Sequence, residues 1–146
     1  MELPLDAEML IPQRKPMRLI DRLNSSDGKS GIASARIPAD CPFVIDNKGT
    51  IERLALLELI AQTYAASKGY EDLAGGIDVS EGYLVGISNA VYYSDAYARQ
   101  NLLIKVESED SFDQFHLAAG EVWHDDTLLI KATLKIWIIS KNTGQA

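Results

Sequence analysis

Residues Leu54–Gln62 read LALLELIAQ, an apolar run with one carboxylate, Glu58, near its centre and one amide, Gln62, at its end. Around it, Ile51–Lys68 contains neither proline nor glycine and is dominated by Ala, Leu, Glu and Gln, which predicts a helix that stops at Gly69. At ~1.5 Å per residue such a helix spans roughly 27 Å. Thr50 is the expected N-cap, with Arg53 where a capping box would carry Glu or Gln. Ile51, Leu54, Leu56, Leu57, Leu59, Ile60 and the interspersed alanines cover most of the circumference, and a helix apolar nearly all round is buried rather than laid on a surface. Glu58 and Gln62, four residues apart, share one face of it. A buried carboxylate without a partner is strongly disfavoured or becomes protonated, so Glu58 requires a hydrogen-bonding group, water, a partner chain or a substrate.

The flanks of the helix read as β-structure. IPQRKPMRLIDRL (Ile11–Leu23) holds two prolines around a basic turn and predicts a strand opening near Met17; NSSDGK (Asn24–Lys29) is a turn, and SGIASARIP (Ser30–Pro38) is a strand halted by its proline. ADCPFVIDNKG (Ala39–Gly49) is a loop. After the helix, EDLAGGIDVSEG (Glu71–Gly82) is a loop with a second turn signal at Glu81–Gly82. Four runs rich in β-branched and aromatic residues follow: YLVGISNAVYYS (Tyr83–Ser94), NLLIKVESED (Asn101–Asp110), FHLAAGEVWH (Phe115–His124) and TLLIKATLKIWII (Thr127–Ile139). Tight hairpins at Asp110–Gln114 and His124–Thr127 make the last three an antiparallel meander. Tyr83, Tyr92, Tyr93, Tyr97, Phe112, Phe115, Trp123 and Trp137 fall at strand spacing and are read first as core, and the polar KNTGQA at Lys141–Ala146 as a frayed end.

The order is strand, strand, one long apolar helix, four strands. A lone helix that is apolar nearly all round must be wrapped by the sheet, which is the α+β hot-dog fold. Such a sheet leaves an edge uncovered, so pairing with a second subunit is expected.

Composition bounds the function. The chain has 146 residues, 47% apolar and 24% charged, which predicts one globular domain with its core at about residues 11–139 and the tails outside. A net charge of −7 argues against nucleic acid as a partner. Cys41 is the lone cysteine, which excludes an internal disulfide and a cysteine metal site and points to a reducing compartment, the cytoplasm. MELPLDAEML does not read as a secretory signal, and no apolar run approaches the roughly 20 residues of a membrane span. Arg14, Lys15, Arg18 and Arg22 cluster within nine residues, either as a solvated surface or as a locus for a phosphate-bearing ligand or an acidic partner.

Three stretches resemble the hot-dog 3-hydroxyacyl-acyl-carrier-protein dehydratases of fatty-acid synthesis. IPQRKPMRLIDRL is similar to that family's Leu-Pro-His-Arg-x-Pro-x-x-Leu-Val-Asp-Arg opening, with Pro12, Arg14, Pro16, Asp21 and Arg22 in place; LLELIAQ (Leu56–Gln62) is similar to its Leu-Glu-x-Met-Ala-Gln helix, with Glu58 at the catalytic carboxylate. GYLVGISNAVYY (Gly82–Tyr93) resembles the Leu-Leu-Gly-x-Arg strand of a sub-group associated with aryl-polyene biosynthesis. The resemblance implies a site at a dimer interface, where a histidine from one subunit takes the α-carbon proton and a carboxylate from the other assists departure of the 3-hydroxyl. It implies Glu58 as the catalytic group, with Gln62, Arg14, Arg22, Phe43, Val44 and Gly86 as substrate contacts. The helix N-terminus near Thr50–Arg53 would polarise the thioester carbonyl. No cofactor is implied beyond the phosphopantetheine of acyl carrier protein or CoA that carries the substrate.

The histidine half of the motif is absent. The loop that carries Gly-His-Phe-Pro-Gly in the fatty-acid enzymes is CPFVIDNKG (Cys41–Gly49) here, and Gln13 stands where the sub-group has Leu-Pro-His. His116 and His124 lie on no family motif, and Cys41, with no histidine nearby in sequence, reads as an inert thiol. Three readings stay open: a dehydratase whose histidine comes from a second hot-dog subunit, a non-catalytic homodimer that binds acyl groups or carrier, and an acyl thioesterase.

Overall fold

In the computed structural model, which describes residues 2–77 and 81–139, the apolar run forms one helix, α1 (Arg53–Ala74). Its start is shifted from the expected cap. Thr50 and Ile51 are held in isolated β-bridges to Tyr97 and Val44, and Glu52 takes the N-cap position, its N–H donating to the Phe43 carbonyl at 2.8 Å. Nor does Gly69 end the helix: it is buried within it, where packing offsets the ~1 kcal/mol that glycine costs relative to alanine. The stop comes at Gly75 and Gly76, the latter at φ 74°, a left-handed conformation that glycine adopts without steric cost.

Among the described residues there are seven strands: β1 (Leu5–Asp6), β2 (Arg22–Ser26), β3 (Ser30–Ala35), β4 (Glu81–Tyr92), β5 (Leu102–Phe112), β6 (Phe115–His124) and β7 (Thr127–Ile139). They form one antiparallel sheet in the order β1-β2-β3-β5-β6-β7-β4, and α1 packs against β2 to β7. Alternate residues point inward. Ile104 and Val106 on β5, Ala118 and Val122 on β6, and Ile130, Ala132, Leu134 and Ile136 on β7 close over Leu56, Leu59 and Ile60 of the helix. Gly120 belongs to the same inward set because a side chain there would run into Ile60. The β5–β6 and β6–β7 hairpins turn at Asp113 (φ 55°) and Asp125 (φ 50°), left-handed positions that aspartate tolerates better than most residues.

Several local expectations are corrected. The strand expected from Met17 begins at Arg22, because residues 17–20 are an irregular segment tied to the helix, and Glu81–Gly82 lies within β4 instead of forming a turn. β1 and the 3-10 turn at Ala7–Met9 had no clear sequence signal; Ala7 and Leu10 are fully buried, so the core starts ahead of Ile11. The tail at Lys141–Ala146 lies outside the described residues.

The aromatic series is largely not core. Tyr83 pairs with Trp137, Trp137 with Phe115, and Phe115 with Phe112, so these four form a row across β4, β7, β6 and β5 on the outer face, where Phe112 is 75% exposed. Strand parity explains it, since their immediate neighbours Ile136, Ile138 and His116 take the inward face. β4 ends the strand order, hydrogen-bonded on one side to β7, and exposes Val85, Ile87 and Val91. Among the described residues no helix is long and apolar enough to cross a membrane.

Candidate active site

Glu58 lies on α1, half-buried, with its Oε1 accepting a hydrogen bond from Gln62 Nε2 at 3.3 Å. Burial pushes its carboxyl above the ordinary value, because charge is poorly solvated there, while the Gln62 hydrogen bond stabilises the ionised form and opposes the shift. The balance favours the protonated acid more than in a free glutamate.

Gln62, one turn on, is 1% exposed and fully engaged within the chain. Its Oε1 accepts from the Leu19 N–H at 2.8 Å and the Ile20 N–H at 3.4 Å, and its Nε2 donates to the Met17 carbonyl at 2.8 Å as well as to Glu58. An amide offers two donors and two acceptor lone pairs, and all four are used here. Expected as a substrate contact, Gln62 is placed by the structure as a clamp that ties residues 17–20 to the helix and fixes the Glu58 carboxyl.

The other expected contacts are dispersed. Phe43 and Val44 pack against the core where their loop meets the start of α1, through the Phe43 carbonyl and the Val44–Ile51 bridge. Arg14 caps its own turn, donating from Nη1 to the Ile11 and Gln13 carbonyls at 2.8 and 3.0 Å. Arg22 is exposed and pairs with Asp6 at 3.3 Å. Gly86 sits beside a bulge in β4 opposite Lys135, where a Cβ would find ordinary van der Waals room.

The two histidines are elsewhere. His116 Nδ1 lies 3.0 Å from the Tyr64 hydroxyl and 3.1 Å from Ser111 Oγ, and burial, followed by the charge of Lys68, holds its pKa below the ordinary imidazole value. Tyr64 is six residues beyond Glu58, about 9 Å further along the helix and on another face, which separates His116 from the carboxylate. His124 ends β6, paired with Leu102 and Thr127, with its Nε2 3.5 Å from Asp125 in the turn that follows. Gln13, at the sub-group's histidine position, has a buried Oε1 without a hydrogen-bond partner.

A hollow of about 230 Å³ opens beside the clamped segment, lined by Lys15, Pro16, Arg18, Leu19, Asp21 and, across from them, Arg36 to Pro42 without Ala39. Cys41 is a free, buried thiol in its lining, with no ion pair among the described residues. Sequence reading grouped the basic residues of the N-terminal segment but missed Arg36, which β2–β3 pairing brings to them; the Arg36 N–H donates to Asp21 Oδ2 at 2.8 Å.

Comparison with known proteins places this geometry. The model of the ApeP-like family, described as ApeP dehydratase, matches residues 5–144. No curated protein matches significantly. Among solved structures, a chain of the dehydratase heterocomplex ApeI:P from Xenorhabdus doucetiae is similar with a TM-score of 0.84 at 18% identity, over 97% of this chain and 94% of that one. The smu.793 protein of Streptococcus mutans, bound to acetyl CoA, gives 0.63 at 14% identity over 88% and 95%, and a hypothetical thioesterase with coenzyme A from Streptococcus pneumoniae gives 0.60 at 13% over 81% and 84%. At these identities the structural likeness carries the fold, and the family match carries the relationship. The chain is a hot-dog protein that belongs to the ApeP-like family of dehydratases.

Proposed function

We propose that this chain is the carboxylate-bearing subunit of a dehydratase for 3-hydroxyacyl thioesters carried on phosphopantetheine, in acyl-chain synthesis of the fatty-acid or polyene type, and that a second hot-dog subunit supplies the histidine. The observation that carries the reading is Glu58 itself: a half-buried carboxyl, biased toward its protonated form and held by a fully engaged amide, on a chain with no histidine at residue 13 or in residues 41–49. Departure of a 3-hydroxyl needs a proton donor at neutral pH, and a carboxyl with a raised pKa is suited to that task. In the reaction the partner histidine removes the α-carbon proton, the Cα–H electrons form the Cα–Cβ double bond, and the C3–O bond breaks as Glu58 protonates the leaving oxygen. Water and a 2-enoyl thioester result. The histidine is left holding the substrate's α-carbon proton and Glu58 is left ionised, and proton exchange through solvent resets both groups.

Two further observations support this division of labour. The relative ApeI:P is a dehydratase heterocomplex, and β4, which ends the strand order among the described residues, offers a pairing surface of the kind a second hot-dog subunit needs. The relatives bound to acetyl CoA and coenzyme A support a thioester ligand for this fold. Mixing the purified chain with a histidine-bearing hot-dog paralogue and following enoyl-thioester formation tests the proposal. Activity in the mixture that is lost with Glu58→Gln is expected; no complex and no dehydration would overturn it, and release of free thiol without enoyl product would indicate a thioesterase instead.

A further inference from the structure

The 230 Å³ hollow beside residues 15–21 adjoins a second of about 460 Å³, with Arg36, Ile37, Pro38 and Asp40 common to both and Arg99 added at the far end. The second alone is in the size range of small-ligand clefts, roughly 300–1,000 Å³. Four cations, Lys15, Arg18, Arg36 and Arg99, line this cleft on a chain whose net charge is −7. Two carboxylates face them, Asp21 and Asp40. Asp21 already accepts the Arg36 backbone N–H, and Glu8 meets Arg18 Nη1 at 3.2 Å from a largely exposed position.

Arg18 is the telling member. Its side chain is only 12% exposed, and its Nε is buried without any hydrogen-bond partner. A guanidinium so poorly solvated, with only the exposed Glu8 as its ion-pair partner among the described residues, adds a positive charge to the cleft wall that favours an anionic oxygen nearby. Arg36 spends its Nε on the Arg99 carbonyl at 3.1 Å, and the Arg99 N–H donates to the Ile37 carbonyl at 2.8 Å, so the two arginines are held side by side. The floor, Leu19, Ile37, Cys41 and Pro42, is apolar and suits a non-ionic chain running on from the charged head. A small excess of positive charge fits one phosphate group and not a polyanion.

We infer that this cleft binds the single phosphate of a phosphopantetheine-type ligand, through Lys15, Arg18 and Arg36 with Arg99 at the rim. The inference deepens the dehydratase reading and rests on it for the identity of the ligand. It also moves the phosphate contacts away from Arg14 and Arg22, whose guanidinium groups are used on their own turn and on Asp6.

Calorimetric titration of the full chain with 4′-phosphopantetheine and, separately, with unphosphorylated pantetheine tests it. At low salt the phosphorylated ligand should bind at least tenfold more tightly, and Arg36→Glu and Lys15→Glu, both at exposed positions, should each abolish that preference with an unchanged circular dichroism spectrum. Lys131→Glu, on the outer face of β7, should leave it intact and serves as the charge control. Equal affinity for the two ligands, or a preference that survives both cleft substitutions, would overturn the site. Titration with CoA distinguishes a CoA-borne phosphate from the carrier-borne one: tighter binding of CoA than of 4′-phosphopantetheine would show contacts to its additional phosphates and overturn the single-phosphate assignment. Dehydration by the two-subunit mixture with no phosphate preference removes this site and leaves the enzyme reading standing, whereas the preference without dehydration does the reverse.

Discussion

Gln62 Nε2 sits between Glu58 Oε1 at 3.3 Å and the Met17 carbonyl at 2.8 Å, so one amide connects the candidate acid to the segment that precedes β2. Gln62→Ala would leave the Leu19 N–H and the Met17 carbonyl without their partner and open a cavity between the helix and the Leu19–Ile20 backbone. Each orphaned buried group costs ~1–3 kcal/mol, so a loss of about 3 kcal/mol in urea unfolding is expected. A loss below ~1 kcal/mol would mean that water replaces the amide and that the clamp is not structural.

Glu58→Gln separates stability from chemistry. The folded-state pKa of Glu58 is raised, so its contribution is most favourable below the unfolded value of 4.5 and declines as pH rises through the folded value, where the ionised carboxylate must be held in a poorly solvated place. The substitution keeps an acceptor for Gln62 and removes that charge. The melting temperature of the variant relative to the parent should therefore rise between pH 4 and pH 8, while dehydration with the partner falls by ~10²-fold or more. A melting difference that stays flat with pH would show that Glu58 is solvated like a surface residue.

The helix and the later strands were legible because their signals are local: α1 lacks breakers before Gly69, and the runs after Gly82 alternate with period two. Glu58 stood out as the one charge on an apolar face. Gly69 misled because burial overrode its propensity, and Thr50 because its backbone is claimed by the bridge to Tyr97. The outward row of Tyr83, Trp137, Phe115 and Phe112 was hidden because hydrophobicity alone does not say which face of a two-sided sheet a residue takes. Arg36 was invisible as a cleft residue since only strand pairing brings it next to Lys15 and Arg18.

Gly120 and Ile60 mark the closest approach of sheet and helix. A Cβ at residue 120 would overlap the Ile60 side chain, so Gly120→Ala should destabilise by ~1–3 kcal/mol, the usual range for overpacking. Ile60→Ala alone should cost ~2–5 kcal/mol through the cavity it leaves. The double variant should be more stable than the sum of the two by at least ~1 kcal/mol, because the new methyl group occupies part of that cavity. Strict additivity in denaturant unfolding would contradict the packing.

The edge of β4 supplies the last test. Tyr92 and Leu84 pack against the core, but Ile87, which takes the inward parity opposite Leu134, is 45% exposed on β4, the last strand of the order. Among the described residues β4 has a strand neighbour on one side only, and its exposed Val85, Ile87 and Val91 add apolar side chains to that end of the sheet, which is the chemistry of strand-to-strand association. If a second hot-dog subunit pairs with this edge, Ile87→Lys places a charge in the seam, and in a symmetric pair it places two. Sedimentation velocity at micromolar concentration should then show the parent chain, alone or with its histidine-bearing partner, at twice the monomer mass, and the variant at monomer mass with an unchanged circular dichroism spectrum. An assembly that survives Ile87→Lys would exclude β4 as the seam and would require the partner histidine to approach Glu58 from another face.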